Sequence, residues 1–154
     1  MLKYNTTKIV FAEIPDEISL AISVTGCPNR CPNCHSPELR EGFGNNIKDD
    51  IFKLINENPY ITCVLFLGGD ASHDEIYELT KLIKSKTDLK VAFYSGNNNR
   101  TEKLFDVLDY YKIGSYQEKY GPLNCKTTNQ RLYMIREGEI EDITFKFWIT
   151  HVYG

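Results

Sequence analysis

Three of the chain's five cysteines lie within one short segment, "TGCPNRCPNCHSPEL". They are Cys27, Cys31 and Cys34, and their spacing is C-x3-C-x2-C. Thiolates grouped this closely suit zinc or an iron–sulfur cluster, and both kinds of centre normally take four ligands. The segment therefore predicts a metal centre that has three ligands close together in sequence and lacks a fourth nearby.

The remaining candidates for a fourth ligand are weak. Cys63 falls inside the apolar run "ITCVLFLGG", where a small thiol fills space, and Cys125 is far away in sequence. His35 directly follows Cys34, and adjacent side chains rarely point at the same ion. Three thiolates on a four-iron cluster would leave one iron open, and an open metal position is what catalysis uses. A closed structural zinc site is the alternative.

The composition is that of an ordinary globular protein. Of the 154 residues, 42% are hydrophobic and 25% are charged, and the length suits one domain over residues 1–154. No run approaches the roughly 18 apolar residues of a membrane span, and the N-terminus lacks a secretory pattern, so we expect a cytoplasmic protein without a membrane partner. In that reducing compartment, clustered cysteines hold metal or do redox chemistry more often than they form disulfides. A net charge of −3 with scattered lysines disfavours a nucleic-acid partner.

The elements that must position the cysteines alternate between strands and helices. Apolar periodicity predicts strands over residues 17–26, 61–69, 89–97 and 110–116. The predicted helices are one from Ile47 to the segment "NENPY", a second that opens with a capping box of Ser72 and Glu75, and a third from residue 101 to about residue 109. This alternation favours an α/β fold with a parallel sheet and right-handed crossovers.

The C-terminal segment has a different pattern. "NQRLYMIREGEIEDITFKFWI" predicts a strand, a turn around Gly138 and a returning strand along which Phe145, Phe147 and Ile149 alternate. We therefore expect an antiparallel hairpin at one edge of the sheet.

Three segments whose residues could take part in ligand binding or catalysis each follow a predicted strand. The cysteines follow the first strand, "GGD" (Gly68, Gly69 and Asp70) follows the second, and "YSGN" follows the third. The carboxyl ends of parallel strands lie at one edge of a sheet, where α/β folds place their ligands. Glycines there let a ligand approach the backbone closely. We therefore expect the three segments to form one site.

These motifs resemble those of a known family. "CPNRCPNC" resembles the cluster motif of radical S-adenosylmethionine (SAM) enzymes, and "GGD" resembles their methionine-amine motif. With "FLGGDA", "FYSGN", "TNQRLY" and the short length, the chain from about residue 18 to residue 135 resembles the activating proteins of anaerobic ribonucleoside-triphosphate reductase. The resemblance implies a partial, open radical-SAM (β/α) barrel with parallel strands and a C-terminal antiparallel hairpin. A complete barrel needs about 200 residues or more, which agrees with an open one here.

The resemblance also implies roles for particular residues. Three irons of a [4Fe-4S] cluster would be ligated by Cys27, Cys31 and Cys34, and the fourth iron would bind SAM. The residues that would flank or contact SAM are Asn33, Cys34, His35, Gly68, Gly69, Asp70 and Ser95. An electron from the reduced cluster would cleave SAM into methionine and a 5′-deoxyadenosyl radical, and that radical would take a hydrogen atom from a glycine of the reductase.

The partners implied by the resemblance are the glycyl-radical subunit of the reductase and a reducing electron donor such as flavodoxin. A homodimer is in keeping with it too, because members of the family tend to dimerise. An open barrel encloses a small substrate poorly, which independently favours a macromolecular one. Two alternatives stay open: a radical SAM enzyme that acts on another protein or a small molecule, and a zinc-binding interaction module without catalysis.

Overall fold

The structure is a computed structural model that describes residues 2–25, 44–70, 72–115, 117–123 and 125–148. Its strands are β1 (Lys3–Val10), β2 (Ser19–Val24), β3 (Asn45–Asn46), β4 (Cys63–Leu67), β5 (Lys90–Tyr94), β6 (Tyr110–Ile113), β7 (Arg131–Arg136) and β8 (Glu139–Asp142). Its helices are α1 (Ile47–Glu57), α2 (His73–Lys86) and a 3₁₀ helix (Glu102–Asp106). Within the described residues, no helix is both long and apolar enough to cross a membrane.

The strands form one mixed sheet in the order β3-β1-β2-β4-β5-β6-β7-β8. The four central strands, β2, β4, β5 and β6, run parallel and follow one another in chain order. Antiparallel strands flank them, β1 beside β2 and the β7–β8 hairpin beside β6. The outermost strands, β3 and β8, do not pair with each other, so the sheet is open.

The helices pack on one face of this sheet. Ile51 of α1, Ile76 of α2 and Leu104 of the 3₁₀ helix share a core with Phe66 and Phe93 of the strands. Parallel strands that follow chain order without a reversal, joined by crossovers of one hand, bring all their helices to the same side. The common location of the helices is therefore a consequence of the strand order.

The other face is covered by connecting segments. Leu65 and Ala92 of the strands pack with Ile14, from the loop between β1 and β2, and with Ile143, which follows β8. Because both faces are buried, the central strands are apolar at nearly every position, as "CVLFL" in β4 illustrates.

A buried carboxylate joins the amino ends of the four parallel strands. Glu17, just before β2, accepts hydrogen bonds from Thr62 Oγ1 (2.7 Å), Lys90 Nζ (2.8 Å) and Tyr110 Oη (2.8 Å). Those three residues stand at or beside the starts of β4, β5 and β6. Burial on its own would raise the pKa of Glu17, but the hydrogen bonds from Lys90, Thr62 and Tyr110 outweigh it and lower the pKa.

Two of the three predicted helices are confirmed as α-helices, and for α2 the predicted start signal is confirmed as well. At α2, the side chain of Ser72 accepts a hydrogen bond from Glu75 N at 3.2 Å, which is the predicted N-cap. At α1, the side chain of Asn46 accepts from Lys48 N at 3.1 Å, a cap that we did not predict. The helix ends at Glu57, immediately before "NPY".

Four elements differ from the sequence expectations. Strands β1 and β3 were not predicted, and the third helix is a short 3₁₀ helix rather than a helix to about residue 109. The prediction that the returning strand continues through Phe145 and Phe147 is wrong, because β8 ends at Asp142 and residues 145–148 form a helical turn. The Asp142 carboxylate accepts hydrogen bonds from Thr144 N and Oγ1, which turns the chain at this point. Ile149 lies outside the described residues.

Candidate functional site

The loops after β2, β4 and β5 leave the sheet at the same level. In the ladder, Ser23 pairs with Leu67, and Leu67 pairs with Tyr94. Each of these residues is at or next to the end of its strand, so the segments that follow start side by side. The predicted convergence of the "GGD" and "YSGN" segments at the carboxyl edge is confirmed.

The cysteine segment connects to this edge at both ends. Thr25, the last described residue before it, donates its backbone N–H to Lys3 O at 2.8 Å. The chain is described again from Gly44, where an added Cβ would lie 2.1 Å from Tyr4 O beside the end of β2. The predicted site residues in between, which are Cys27, Cys31, Asn33, Cys34 and His35, lie outside the described residues.

The two positions after β4 are glycines for different structural reasons. Gly68 has φ +89°, a conformation that favours glycine, and its N–H donates to Tyr94 O at 3.4 Å. At Gly69, an added Cβ would lie 2.6 Å from Ile76 Cδ1 and 3.2 Å from Phe93 Cε1. Gly69 therefore lets α2 pack closely onto the end of β4, whatever ligand binds at this edge.

Asp70 joins the loops after β4 and β5. Its Oδ1 accepts hydrogen bonds from Ser95 Oγ and from His73 Nε2, both at 2.7 Å, and its Oδ2 accepts from Gly96 N at 2.8 Å. The side chain of Asp70 is only 1% exposed. Although burial on its own would raise it, the hydrogen bonds from His73, Ser95 and Gly96 lower the pKa of Asp70. The carboxylate is thus an ionised, buried junction between the two loops.

The predicted contact residue Ser95 belongs to the same network. It is fully buried, and its Oγ accepts from Asn97 N at 3.0 Å while donating to Asp70. The loop is also attached to β6, since Ser95 N donates to Lys112 O at 2.9 Å. The structure therefore brings Gly68, Gly69, Asp70 and Ser95 together, with the Ser95 hydroxyl directed to Asp70.

Sequence reasoning missed two members of this network. His73, the first residue of α2, lies between Asp70 and Thr101, with Nδ1 2.6 Å from Thr101 Oγ1. The Asp-x-x-His spacing across a helix start was the signal that could have indicated the Asp70–His73 pair, because residues three apart there can face each other. Nothing in the local sequence indicated Thr101, which is 28 positions away.

Comparison with known protein families identifies a match over most of the chain. The sequence model of a family described as a 4Fe-4S single cluster domain matches residues 18–136. The chain belongs to this family. Comparison with curated proteins and with solved structures gives no match. As a 4Fe-4S single cluster domain, the chain is an iron–sulfur protein with a metal-binding, redox function.

The described residues include few candidates for ligands of the 4Fe-4S cluster. Among these, no group of three or more His, Cys, Asp and Glu side chains could hold a metal ion. Cys63 is fully buried at the amino end of β4, away from the edge at which the cysteine segment begins. Burial raises the pKa of its thiol to about 12, so it stays protonated. Cys27, Cys31 and Cys34 lie outside the described residues and stay the predicted ligands of the cluster.

Cys125 differs from Cys63 in both exposure and position. It is exposed and lies in the loop from β6 to β7, which begins and ends at the carboxyl edge. Cys125 is far from the other cysteines in sequence, but the topology puts its loop at the same edge as the predicted site.

The surface of the domain beside the Asp70 network is concave. A depression of about 530 Å³ is lined by Asp70, His73 and residues 97–101. A larger groove of about 850 Å³ lies between α2, the 3₁₀ helix and the turn of the β7–β8 hairpin. Because β7 runs antiparallel to β6, that turn is at the amino edge of the sheet. The smaller depression is the one that adjoins the predicted site.

Proposed function

We propose that the protein is a radical SAM enzyme that activates anaerobic ribonucleoside-triphosphate reductase by forming a glycyl radical on it. The observation that carries the proposal is that the Gly68–Gly69–Asp70 turn and the Ser95 loop meet at the sheet edge where β2 ends, just before the segment that contains the cysteines. Membership in the 4Fe-4S single cluster domain family supplies the cluster.

The fold supports a partial (β/α) barrel as the architecture. In a barrel, parallel strands follow chain order and all helices lie outside, whereas a doubly wound sheet reverses its order and has helices on both faces. Here β2, β4, β5 and β6 follow chain order, and α1, α2 and the 3₁₀ helix share one face. The face packed by Ile14 and Ile143 would correspond to the inside of the barrel.

Within this proposal, Cys27, Cys31 and Cys34 hold three irons and leave the fourth for the amine and carboxylate of SAM. A bound and reduced cluster would supply the electron for cleavage of SAM to methionine and a 5′-deoxyadenosyl radical, and this radical would take a hydrogen atom from a glycine of the reductase. Gly68 and Gly69 present backbone without side chains toward the methionine end of SAM. Asp70 holds the loops after β4 and β5 in register, so that the chain orients SAM rather than reacting with it.

The proposed partner is a protein because the sheet is open. Among the described residues the sheet ends at β3 on one side and at β8 on the other, and an open sheet would leave a small reactive substrate exposed to water. A loop of the glycyl-radical subunit could complete the enclosure. A low-potential donor such as flavodoxin would supply the electron, and a homodimer is compatible with the proposal.

The first test is chemical. The protein is purified without oxygen, reconstituted with iron and sulfide, reduced with dithionite and incubated with SAM, and 5′-deoxyadenosine is measured by chromatography. We expect the wild type to form it and Cys31→Ala to form none, because that variant loses a cluster ligand. One bound zinc with no iron after reconstitution would overturn the proposal.

Cys125→Ser is the matched control. We expect it to retain four irons per chain and to form 5′-deoxyadenosine, since three thiolates suffice for a cluster with an open iron. If it loses iron as Cys31→Ala does, the cluster has four cysteine ligands, no iron is open to SAM and the proposal fails.

The partner is tested separately. The reduced, SAM-loaded protein is mixed with the glycyl-radical subunit of an anaerobic ribonucleoside-triphosphate reductase, and the radical is detected by electron paramagnetic resonance. We expect a glycyl radical that is absent when Cys31→Ala replaces the wild type. Formation of 5′-deoxyadenosine without a glycyl radical would indicate a radical SAM enzyme with a different substrate.

A further inference from the structure

We propose that His73 is a positioning residue for SAM: it holds the Asp70 carboxylate and thereby fixes the two loops against which SAM binds. This inference rests on the proposed function and adds to it a residue that lies outside the cysteine and glycine motifs. His73 acts through Asp70, so its contribution is to the geometry of the site and not to bond breaking.

The first support is the place of His73 in a continuous chain of hydrogen bonds. From Asp70 the chain passes to His73 Nε2 at 2.7 Å, and from His73 Nδ1 to Thr101 Oγ1 at 2.6 Å. Thr101 N in turn donates to Tyr111 Oη at 3.1 Å, and Tyr111 is fully buried in β6. The chain therefore connects the end of β4 to the core through the start of α2.

The second support is the protonation that this chain imposes. The hydrogen bonds from His73, Ser95 and Gly96 keep Asp70 ionised, and an ionised carboxylate only accepts. His73 Nε2 must therefore carry a hydrogen and donate it. In the neutral ring, Nδ1 is then the acceptor for the Thr101 hydroxyl, so the ring is held from both sides in one tautomer.

The third support is the packing of the ring. The His73 side chain is 12% exposed, and its ring contacts Phe93 edge to face, with centroids 5.2 Å apart and planes at 87°. Phe93 stacks on Tyr111 at 5.7 Å. A ring held by two hydrogen bonds and an aromatic neighbour keeps one orientation, which is what a positioning residue requires.

Two substitutions at His73 test the two ring nitrogens separately. The amide nitrogen of glutamine reaches about as far as imidazole Nε2, so His73→Gln keeps a donor for Asp70. The shorter asparagine reaches only about as far as Nδ1, so His73→Asn keeps a polar group near Thr101 and loses the bond to Asp70. Glu78→Gln, at an exposed position on the same helix, is the control.

The measurements are the dissociation constant of SAM for the reconstituted protein, by equilibrium dialysis, and the exchange rate of the Gly96 amide, by NMR on the cluster-free protein. We expect His73→Asn to raise the dissociation constant about tenfold, as loss of a supporting partner typically does. We expect it also to speed Gly96 exchange about tenfold, because the acceptor of that amide is released. His73→Gln should restore both to within about twofold, with iron content unchanged in each variant.

The outcomes are separable from those of the proposed function. If the wild type binds SAM and folded His73→Asn binds it equally well, the positioning role is overturned and the proposed function stands. If the wild type binds no SAM, the proposed function is overturned and the role of His73 in SAM binding falls with it. Gly96 exchange then still tests whether His73 holds Asp70: equal rates in the two variants contradict this, and a rate raised only in His73→Asn supports it.

A further variant covers the case in which His73→Asn does not fold. Thr101→Val removes the hydroxyl on the far side of the ring while leaving the Asp70–His73 bond possible. We expect a smaller increase in the dissociation constant, about threefold, together with an increase in Gly96 exchange. Wild-type values for both quantities in the folded Thr101→Val protein would overturn the proposal.

Discussion

At Gly69 the missing side chain matters for packing. An added Cβ would lie 2.6 Å from Ile76 Cδ1 and 2.9 Å from Ile76 Cγ1. We expect Gly69→Ala to lower the free energy of unfolding by about 1–3 kcal/mol, because the core must shift to admit the methyl group. Urea denaturation of the cluster-free protein measures this.

The clash at Gly69 can be relieved from the other side. Ile76→Val removes the nearest methyl group, so the double variant should be more stable than the sum of the two single effects predicts. Strict additivity would show that Gly69→Ala acts through its backbone and not through Ile76.

The charge of Asp70 makes stability depend on pH. Its pKa is lowered in the folded protein, so the unfolded chain binds more protons between the folded value and the ordinary value of about 3.9. Stability therefore rises with pH across that interval. We expect Asp70→Asn to be less stable than the wild type by about 2 kcal/mol at pH 7, and the difference to shrink below about pH 4. Urea denaturation at a series of pH values measures it.

Asp88→Asn is a suitable comparison because Asp88 is exposed. The free energy of unfolding of Asp88→Asn should stay within about 0.5 kcal/mol of the wild-type value over the same pH range. A difference between the wild type and Asp70→Asn that grows as the pH falls would contradict the assignment of Asp70 as a stabilising carboxylate.

At the scale of elements, Glu17 is the counterpart of Asp70 at the opposite edge. It accepts hydrogen bonds from residues at or beside the starts of β4, β5 and β6. We expect Glu17→Ala to lower the free energy of unfolding by about 2–3 kcal/mol, because the buried Tyr110 hydroxyl and the Thr62 hydroxyl lose their shared acceptor. Glu17→Gln keeps an acceptor oxygen and should lose less.

This effect should be confined to stability. Because Glu17 is at the amino edge, Glu17→Gln should leave the SAM affinity of the folded protein unchanged, and Glu78→Ala should change neither quantity. A loss of SAM affinity in folded Glu17→Gln would mean that the two edges of the sheet are coupled.

The elements that sequence predicted well are those with a strong local signal. Helix α2 has apolar residues at helical spacing and a capping serine, and its burial follows that pattern. Strand β1 was missed because its outward positions, such as Lys3 and Thr6, are polar and its sequence has few large apolar residues. The turn at residues 145–148 was predicted as strand because Phe145 and Phe147 alternate, although the Asp142–Thr144 hydrogen bonds end β8 first.

The candidate site shows the same division between local and distant information. Gly68, Gly69 and Asp70 were predicted because each follows a recognisable strand. The partners of Asp70 at Ser95 and Gly96 are 25 and 26 positions away, and those of Glu17 reach 93 positions, to Tyr110. Such pairs depend on how neighbouring strands align with each other. The apolar periodicity within each strand does not define that alignment.

At the scale of the whole molecule, the described residues form a sheet with an apolar core on each face. Leu20, Phe66 and Phe93 of one core and Leu65 and Ala92 of the other all lie on the strands. We therefore expect a variant with all three cysteines of the segment changed to alanine to remain folded while binding no iron. Circular dichroism and a cooperative urea transition measure the first property, and iron analysis measures the second.

A cluster that holds the fold together would give a different result. In that case the triple-alanine variant would lose its cooperative transition, as structural metal domains do without their ion. The control is Cys125→Ser, which should keep both its transition and its iron.

The chain order of the central strands has a consequence for biosynthesis. Each of β4, β5 and β6 pairs with the parallel strand that was made before it, so the sheet can grow outward as the chain leaves the ribosome. The three thiols follow β2 and emerge before Asp70 and Ser95 have been made. We therefore expect the cell to insert the cluster after translation of this chain is largely complete, into a sheet edge that has already formed.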